Sequence, residues 1–221
     1  MVVAALLAVL PGCAPKKVKR APIVYRAPDT TWPRPEVFEV AERAWRCGWA
    51  AGEFDSAILT VVDFSLPSTE RRLWVIDMLN RRVLNNEFVA HGEGSGELQA
   101  VSFSNRMGSN QSSLGLFRTQ NTYYGGQGYS LRLEGLEPGV NDHAMERRVV
   151  VHGADYADPS VVAEFGRLGR SHGCLALPRS TVASIIDRIK WGSAVFAYYP
   201  DPDWLAESRF LRCDGTQTAS R

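Results

Sequence analysis

The chain has 221 residues, of which 45% are hydrophobic and 22% charged, and a formal net charge of +1. This suits one well-buried globular domain with a short accessory segment. The near-neutral balance gives no support to a nucleic-acid partner, and the basic run Lys16-Lys17-Val18-Lys19-Arg20 reads as a solvated tether.

In chain order, residues 1–13 begin with an apolar run, Val2 to Leu10, far short of the roughly 20 residues a bilayer span needs. It fits the core of a secretory signal. It closes at Leu10-Pro11-Gly12-Cys13, which resembles a bacterial lipoprotein cleavage site with Cys13 as the lipidated residue. The expectation is export to the periplasm or cell envelope, with a lipid on Cys13 holding the chain to a membrane. Residues 14–34, rich in Pro, Lys and Arg, read as a linker.

Within a segment 35–56, Pro35 suits a first helical position, and Phe38, Ala41, Trp45 and Trp49 recur at helical spacing. This predicts a helix over 36–50, with both tryptophans in the core and an end near Gly48 and Gly52. From 57 to 200 the pattern is mainly that of strands. Runs at 58–64, 72–77, 82–84 and 87–91 are separated by polar turns and predict antiparallel pairing. His91-Gly92-Glu93-Gly94-Ser95-Gly96 lacks the Gly-Lys-Ser/Thr ending of a phosphate loop and reads as a strand-end loop.

Residues 102–130 read as turns and accessible backbone edges between short apolar pieces, suited to an extended polar peptide. Leu131–Leu133 continues the sheet, 137–139 turns, and 141–147 is expected as a short helix before a strand, 148–152, that ends in His152. Ser180 is expected to cap a helix with Val182, Ile185, Ile186 and Ile189 on its apolar side. A last strand runs over 194–199, and the tail 201–221 is expected to fray.

The chemistry concentrates in Gly169-Arg170-Ser171-His172-Gly173-Cys174, read with Val150-Val151-His152-Gly153. Cysteine attacks as the thiolate, and a free thiol is only a few per cent ionised at neutral pH, so a neighbouring imidazole is needed to take the proton. A glycine before the nucleophile allows a sharp turn that aims backbone N–H groups at a developing oxyanion. Of the four cysteines, Cys47 and Cys213 remain to bridge each other in an oxidising compartment once Cys13 and Cys174 are assigned; two separate buried thiols is the alternative. No pair has the short spacing of a zinc site, and no motif implies a metal or organic cofactor.

The words Ser171-His172-Gly173-Cys174 and His152-Gly153-Ala154-Asp155-Tyr156, with Asp63-Phe64-Ser65, Phe103-Ser104-Asn105 and Ser112-Ser113-Leu114-Gly115, resemble the YkuD-type L,D-transpeptidases, in particular the murein L,D-transpeptidase catalytic domain branch. The resemblance covers about residues 57–199. It implies a mainly β fold, a mixed sandwich or barrel-like domain with a few peripheral helices, acting on peptidoglycan stem peptides. It implies Cys174 as the nucleophile, His152 rather than the nearer His172 as the base, and the Gly153 carbonyl as the group steadying the imidazole. The N–H groups of Gly173 and Cys174 would form the oxyanion hole, and Arg170, Ser171 and His172 would contact substrate. Many such enzymes carry an arginine soon after the cysteine, whereas here Leu175-Ala176 follow, so a carboxylate contact would fall to another residue such as Arg170. The same site with water as acceptor would make an L,D-carboxypeptidase or hydrolase. A peptidoglycan-binding lipoprotein without catalysis is the remaining alternative.

Overall fold

A computed structural model describes residues 31–213. The expected signal segment and Cys13 lie outside the described residues, as do most of the linker and the end of the tail. Among the described residues eight strands run Ile58–Asp63 (β1), Leu73–Asp77 (β2), Arg82–Glu87 (β3), Gly115–Gly125 (β4), Gly128–Gly135 (β5), Val150–Gly153 (β6), Leu175–Leu177 (β7) and Ala194–Tyr198 (β8). The helices are Pro35–Ala50 (α1), Val162–Phe165 (α2), Arg179–Ile189 (α3) and Pro202–Glu207 (α4).

The strands form one mixed sheet in the order β3-β2-β1-β8-β4-β5-β6-β7, parallel at β1–β8 and β6–β7 and antiparallel elsewhere. The mainly β, mixed architecture is therefore the expected one. All of β8, and β1 beyond its first residue, are buried, which is why these central strands read as continuous apolar runs without alternation. Helix α1 packs on β1 and β8, and α3 on β6, β1 and β5. After β3 the chain leaves that edge of the sheet and forms a bridge from Ala90 to Ala176 on β7, and another from Gly92 to Ser171. One continuous segment thus links the two outermost strands and sets the Gly-rich loop against the cysteine turn.

Several expectations are corrected. The run 87–91 is no independent strand, because β3 ends at Glu87 and the rest makes the bridge at Ala90. Residues 102–130 contain the longest strand: the inner end of β4 pairs with β8 and its outer end with β5 alone, so its outer half carries polar residues and mimics a loop. Residues 141–147 form hydrogen-bonded turns, not a helix. Ser180 caps nothing: α3 starts at Arg179 behind Pro178, with no side-chain cap. Trp49 is 42% exposed and stacks on Trp45 at 5.3 Å instead of entering the core. Gly48 lies within α1, where a Cβ would stand 2.5 Å from the Phe54 ring. The tail folds back at first: Trp204 and Phe210 are buried, and the Trp204 indole N–H donates to Glu137 Oε2 at 3.2 Å.

Candidate active site

Strand register assembles the site. Ser130 on β5 lies opposite His152 on β6, and His152 opposite Ala176 on β7. One step back from the Val151–Leu175 pair sets Cys174 beside Val150. Because side chains alternate along a strand, His152 and Cys174 share one face on neighbouring strands, in diagonal positions. Both open into one cavity of about 420 Å³, also lined by Tyr123, Gln127, Ser130 and Tyr156. The β4–β5 hairpin supplies three of these further residues, and sequence reasoning missed them with the strand that carries them.

The imidazole of His152 is 4% exposed. Its Nδ1 stands 3.2 Å from the Gly153 carbonyl oxygen, which can only accept, so Nδ1 carries the proton and Nε2 the lone pair. Burial holds His152 below its usual pKa, against the bond to Gly153. Burial likewise pushes the Cys174 thiol up, while the Val150 backbone N–H and the Arg147 guanidinium pull it down. Both groups are therefore neutral near pH 7, and the Cys174 thiol donates to the Arg148 carbonyl oxygen at 3.6 Å. Burial raises the Tyr156 pKa to about 12, so its hydroxyl stays a neutral donor in the cavity.

The turn before Cys174 is held from every side. Gly173 has φ +115°, and a Cβ there would meet Gln111 O at 2.7 Å. Ser112 Oγ accepts from Gly92 N at 3.0 Å and donates to Gly173 O at 3.2 Å. Ser171 Oγ donates to Cys174 O at 2.7 Å and accepts from Gly173 N at 3.1 Å. The Gly173 N–H, expected in the oxyanion hole, is thus engaged by Ser171, and the Cys174 N–H is left as the remaining expected donor.

Arg147 is the main omission of the sequence reading. Its guanidinium donates to Ser104 O (2.5 Å), Ser113 Oγ (2.6 Å), Ser109 Oγ (3.2 Å) and Gln111 O (2.5 Å), binding the 104–113 loop beneath the cysteine turn. None of these acceptors is charged, so a net positive charge faces Cys174. A clue lay in Arg147-Arg148, one residue ahead of the strand that delivers His152.

Arg170 lines the cavity, yet its guanidinium donates to Gly96 O at 3.1 Å and Glu97 Oε1 at 2.6 Å. Its charge is already matched inside the protein, which leaves it poorly placed to read a substrate carboxylate. His172 also lines the cavity, with its side chain 78% exposed and 3.7 Å from Glu93 Oε1. The buried His91 accepts at Nδ1 from Arg72 (2.7 Å) and donates through Nε2 to Gly96 O (3.3 Å), which fixes the Gly-rich loop. Cys47 and Cys213 are brought together with Cα atoms 6.1 Å apart, within disulfide range. Among the described residues no group of three or more His, Cys, Asp or Glu could hold a metal ion.

The sequence model of the L,D-transpeptidase catalytic domain matches residues 31–198. No curated protein matches the chain. Similar solved structures include an L,D-transpeptidase from Mycobacterium smegmatis (17% identity, TM-score 0.39, covering 65% of this chain and 59% of that one). Another is from Stackebrandtia nassauensis (15% identity, TM-score 0.40, 68% and 59%). A third, comprising residues 123–326 of the protein from Xylanimonas cellulosilytica, gives 15% identity, TM-score 0.37, and 79% and 97% coverage. The chain spans about three fifths of the length of the first two structures.

Proposed function

The chain belongs to the L,D-transpeptidase catalytic domain family, and from that premise we propose that it is a peptidoglycan L,D-transpeptidase working through a Cys174 acyl-enzyme. The observation that carries this reading is the common cavity of His152 and Cys174, with the His152 tautomer set by the Gly153 carbonyl.

In the first half-reaction His152 Nε2 takes the thiol proton and Cys174 Sγ attacks the carbonyl joining the third stem residue, a diamino acid, to the fourth, D-Ala. The oxyanion is held by the Cys174 N–H, with the Gly173 N–H joining if Ser171 releases it. The tetrahedral intermediate collapses with cleavage of the C–N bond. The departing D-Ala amine takes the proton from His152, and a thioester remains on Cys174. In the second half-reaction the side-chain amine of another stem attacks the thioester and gives its proton to His152. A 3→3 amide forms, and Cys174 is restored as the thiol. Water in place of the amine would give a tripeptide.

The site is proposed to act in the periplasm or at the cell envelope; the apolar Val2–Leu10 run and the word ending at Cys13 support export and lipid attachment. The test is mass spectrometry of the protein incubated with a disaccharide-tetrapeptide, beside Cys174→Ala. Loss of D-Ala with dimer formation, absent in the variant, is the expected result. Tripeptide without dimer would replace transpeptidase by hydrolase. Retention on isolated sacculi with no turnover in either protein would favour a binding lipoprotein.

A further inference from the structure

A second cavity, of about 540 Å³, adjoins the first and shares Tyr123, Gly126, Arg148 and Val150 with it. It adds Arg132, and none of its lining residues is acidic. The register shows how Arg132 comes to be there. On β5 it lies opposite Val150, two residues along from Ser130, and so faces the same side as Ser130, Val150 and His152. Cys174 flanks Val150 on the other side, so Arg132 and Cys174 stand two strand spacings apart, about 10 Å between backbones. The Arg132 guanidinium lies over the Tyr123 ring at 4.3 Å, a contact that orients the side chain and leaves its N–H edge available.

Arg148 enters two residues before β6, held at φ +57°, a backbone region that non-glycine residues seldom occupy. Among the described residues, neither arginine has a carboxylate within 4.0 Å, whereas Arg34, Arg71, Arg81, Arg118, Arg170 and Arg179 all do. Two unmatched guanidinium groups in a cavity without acids favour an anion, and the planar fork of arginine suits a carboxylate.

We propose that Arg132 and Arg148 form a carboxylate-reading subsite beside Cys174, which seats a free carboxylate of the donor stem and supplies the contact left open by Leu175-Ala176. The inference rests on the transpeptidase reading for the identity of the ligand. A donor stem offers two such groups: the side-chain carboxylate of its diamino acid and the terminal carboxylate of D-Ala.

The experiment uses the full chain and three tetrapeptide donors: one unmodified, one with the side-chain carboxylate amidated, and one with the terminal carboxylate amidated. For the wild type, amidating the carboxylate that is read lowers kcat/KM about tenfold or more, mainly through KM, and identifies which carboxylate that is. Arg132→Gln and Arg148→Gln lose the preference, and Arg132→Lys restores part of it; circular dichroism verifies the fold of each variant. Equal use of all three donors by the wild type, or an undiminished preference in both glutamine variants, overturns the subsite. If no donor is turned over, the transpeptidase reading fails and the subsite is decided by titrating the same peptides into Cys174→Ala. A tenfold weaker Kd for one amide sustains it, and equal Kd values overturn it.

Discussion

Replacing Arg147 by Gln separates a positioning role from a purely structural one. The side chain makes four hydrogen bonds, to Ser104 O, Ser109 Oγ, Gln111 O and Ser113 Oγ. A glutamine reaches one or two of these acceptors at most. Each lost bond to a charged donor costs about 1–2 kcal/mol, because the partly exposed acceptors regain some water. Two or three such losses come to about 2–6 kcal/mol, or roughly 4–24 °C in Tm for a domain of this size. The same cation lowers the Cys174 pKa. Its removal moves the thiol pKa upward, so at any pH below that value less thiolate is present and alkylation is slower. The assay is the rate of iodoacetamide alkylation of Cys174 against pH, read by intact mass, beside thermal unfolding. Arg147→Lys keeps the charge but not the fork; its Tm falls with that of the glutamine variant while its alkylation profile stays nearer the wild type. Superposed profiles for wild type and Arg147→Gln would refute the electrostatic part of the argument, and an unchanged Tm the structural part.

Gly173→Ala places a Cβ 2.7 Å from Gln111 O at φ +115°; a cost of about 1–3 kcal/mol and loss of turnover are expected, read by Tm and the tetrapeptide assay. Burial beside Arg72 lowers the His91 pKa to about 4, whereas the unfolded chain protonates it near pH 6.5, so stability is intact above that value and is lost as pH falls towards 4. The loss amounts to about 3 kcal/mol, and the Tm of His91→Gln should depend less on pH across that window; equal dependence would exclude His91 as the source. A bridge between Cys47 and Cys213, separated by 166 residues, closes a loop worth about 5 kcal/mol in chain entropy. Peptide mapping after alkylation without reductant should therefore label Cys174 and leave those two unlabelled.

The sequence exposes the parts of this protein whose physics is local. Pro35 and the 3.6-residue spacing of Phe38 and Ala41 suffice for α1, and the apolar runs of β1 and β8 show central strands because both of their faces are buried. Gly173-Cys174 and His152-Gly153 are legible as chemistry because a thiol, an imidazole and a glycine turn carry their reactivity in their own atoms. The polar outer half of β4 hides as a loop because its stability comes from pairing with β5, a contact that depends on how the hairpin closes.

Which charges are free is a tertiary fact. Arg170 stands beside the cysteine in sequence, yet Glu97 and the Gly96 carbonyl occupy it; Arg132, 42 residues before Cys174, faces the neighbouring cavity unmatched. Sequence alone determined which residue types and which local turns were present. Only the fold decided their neighbours, because strand register sets the facing side chains and burial sets which protons they keep.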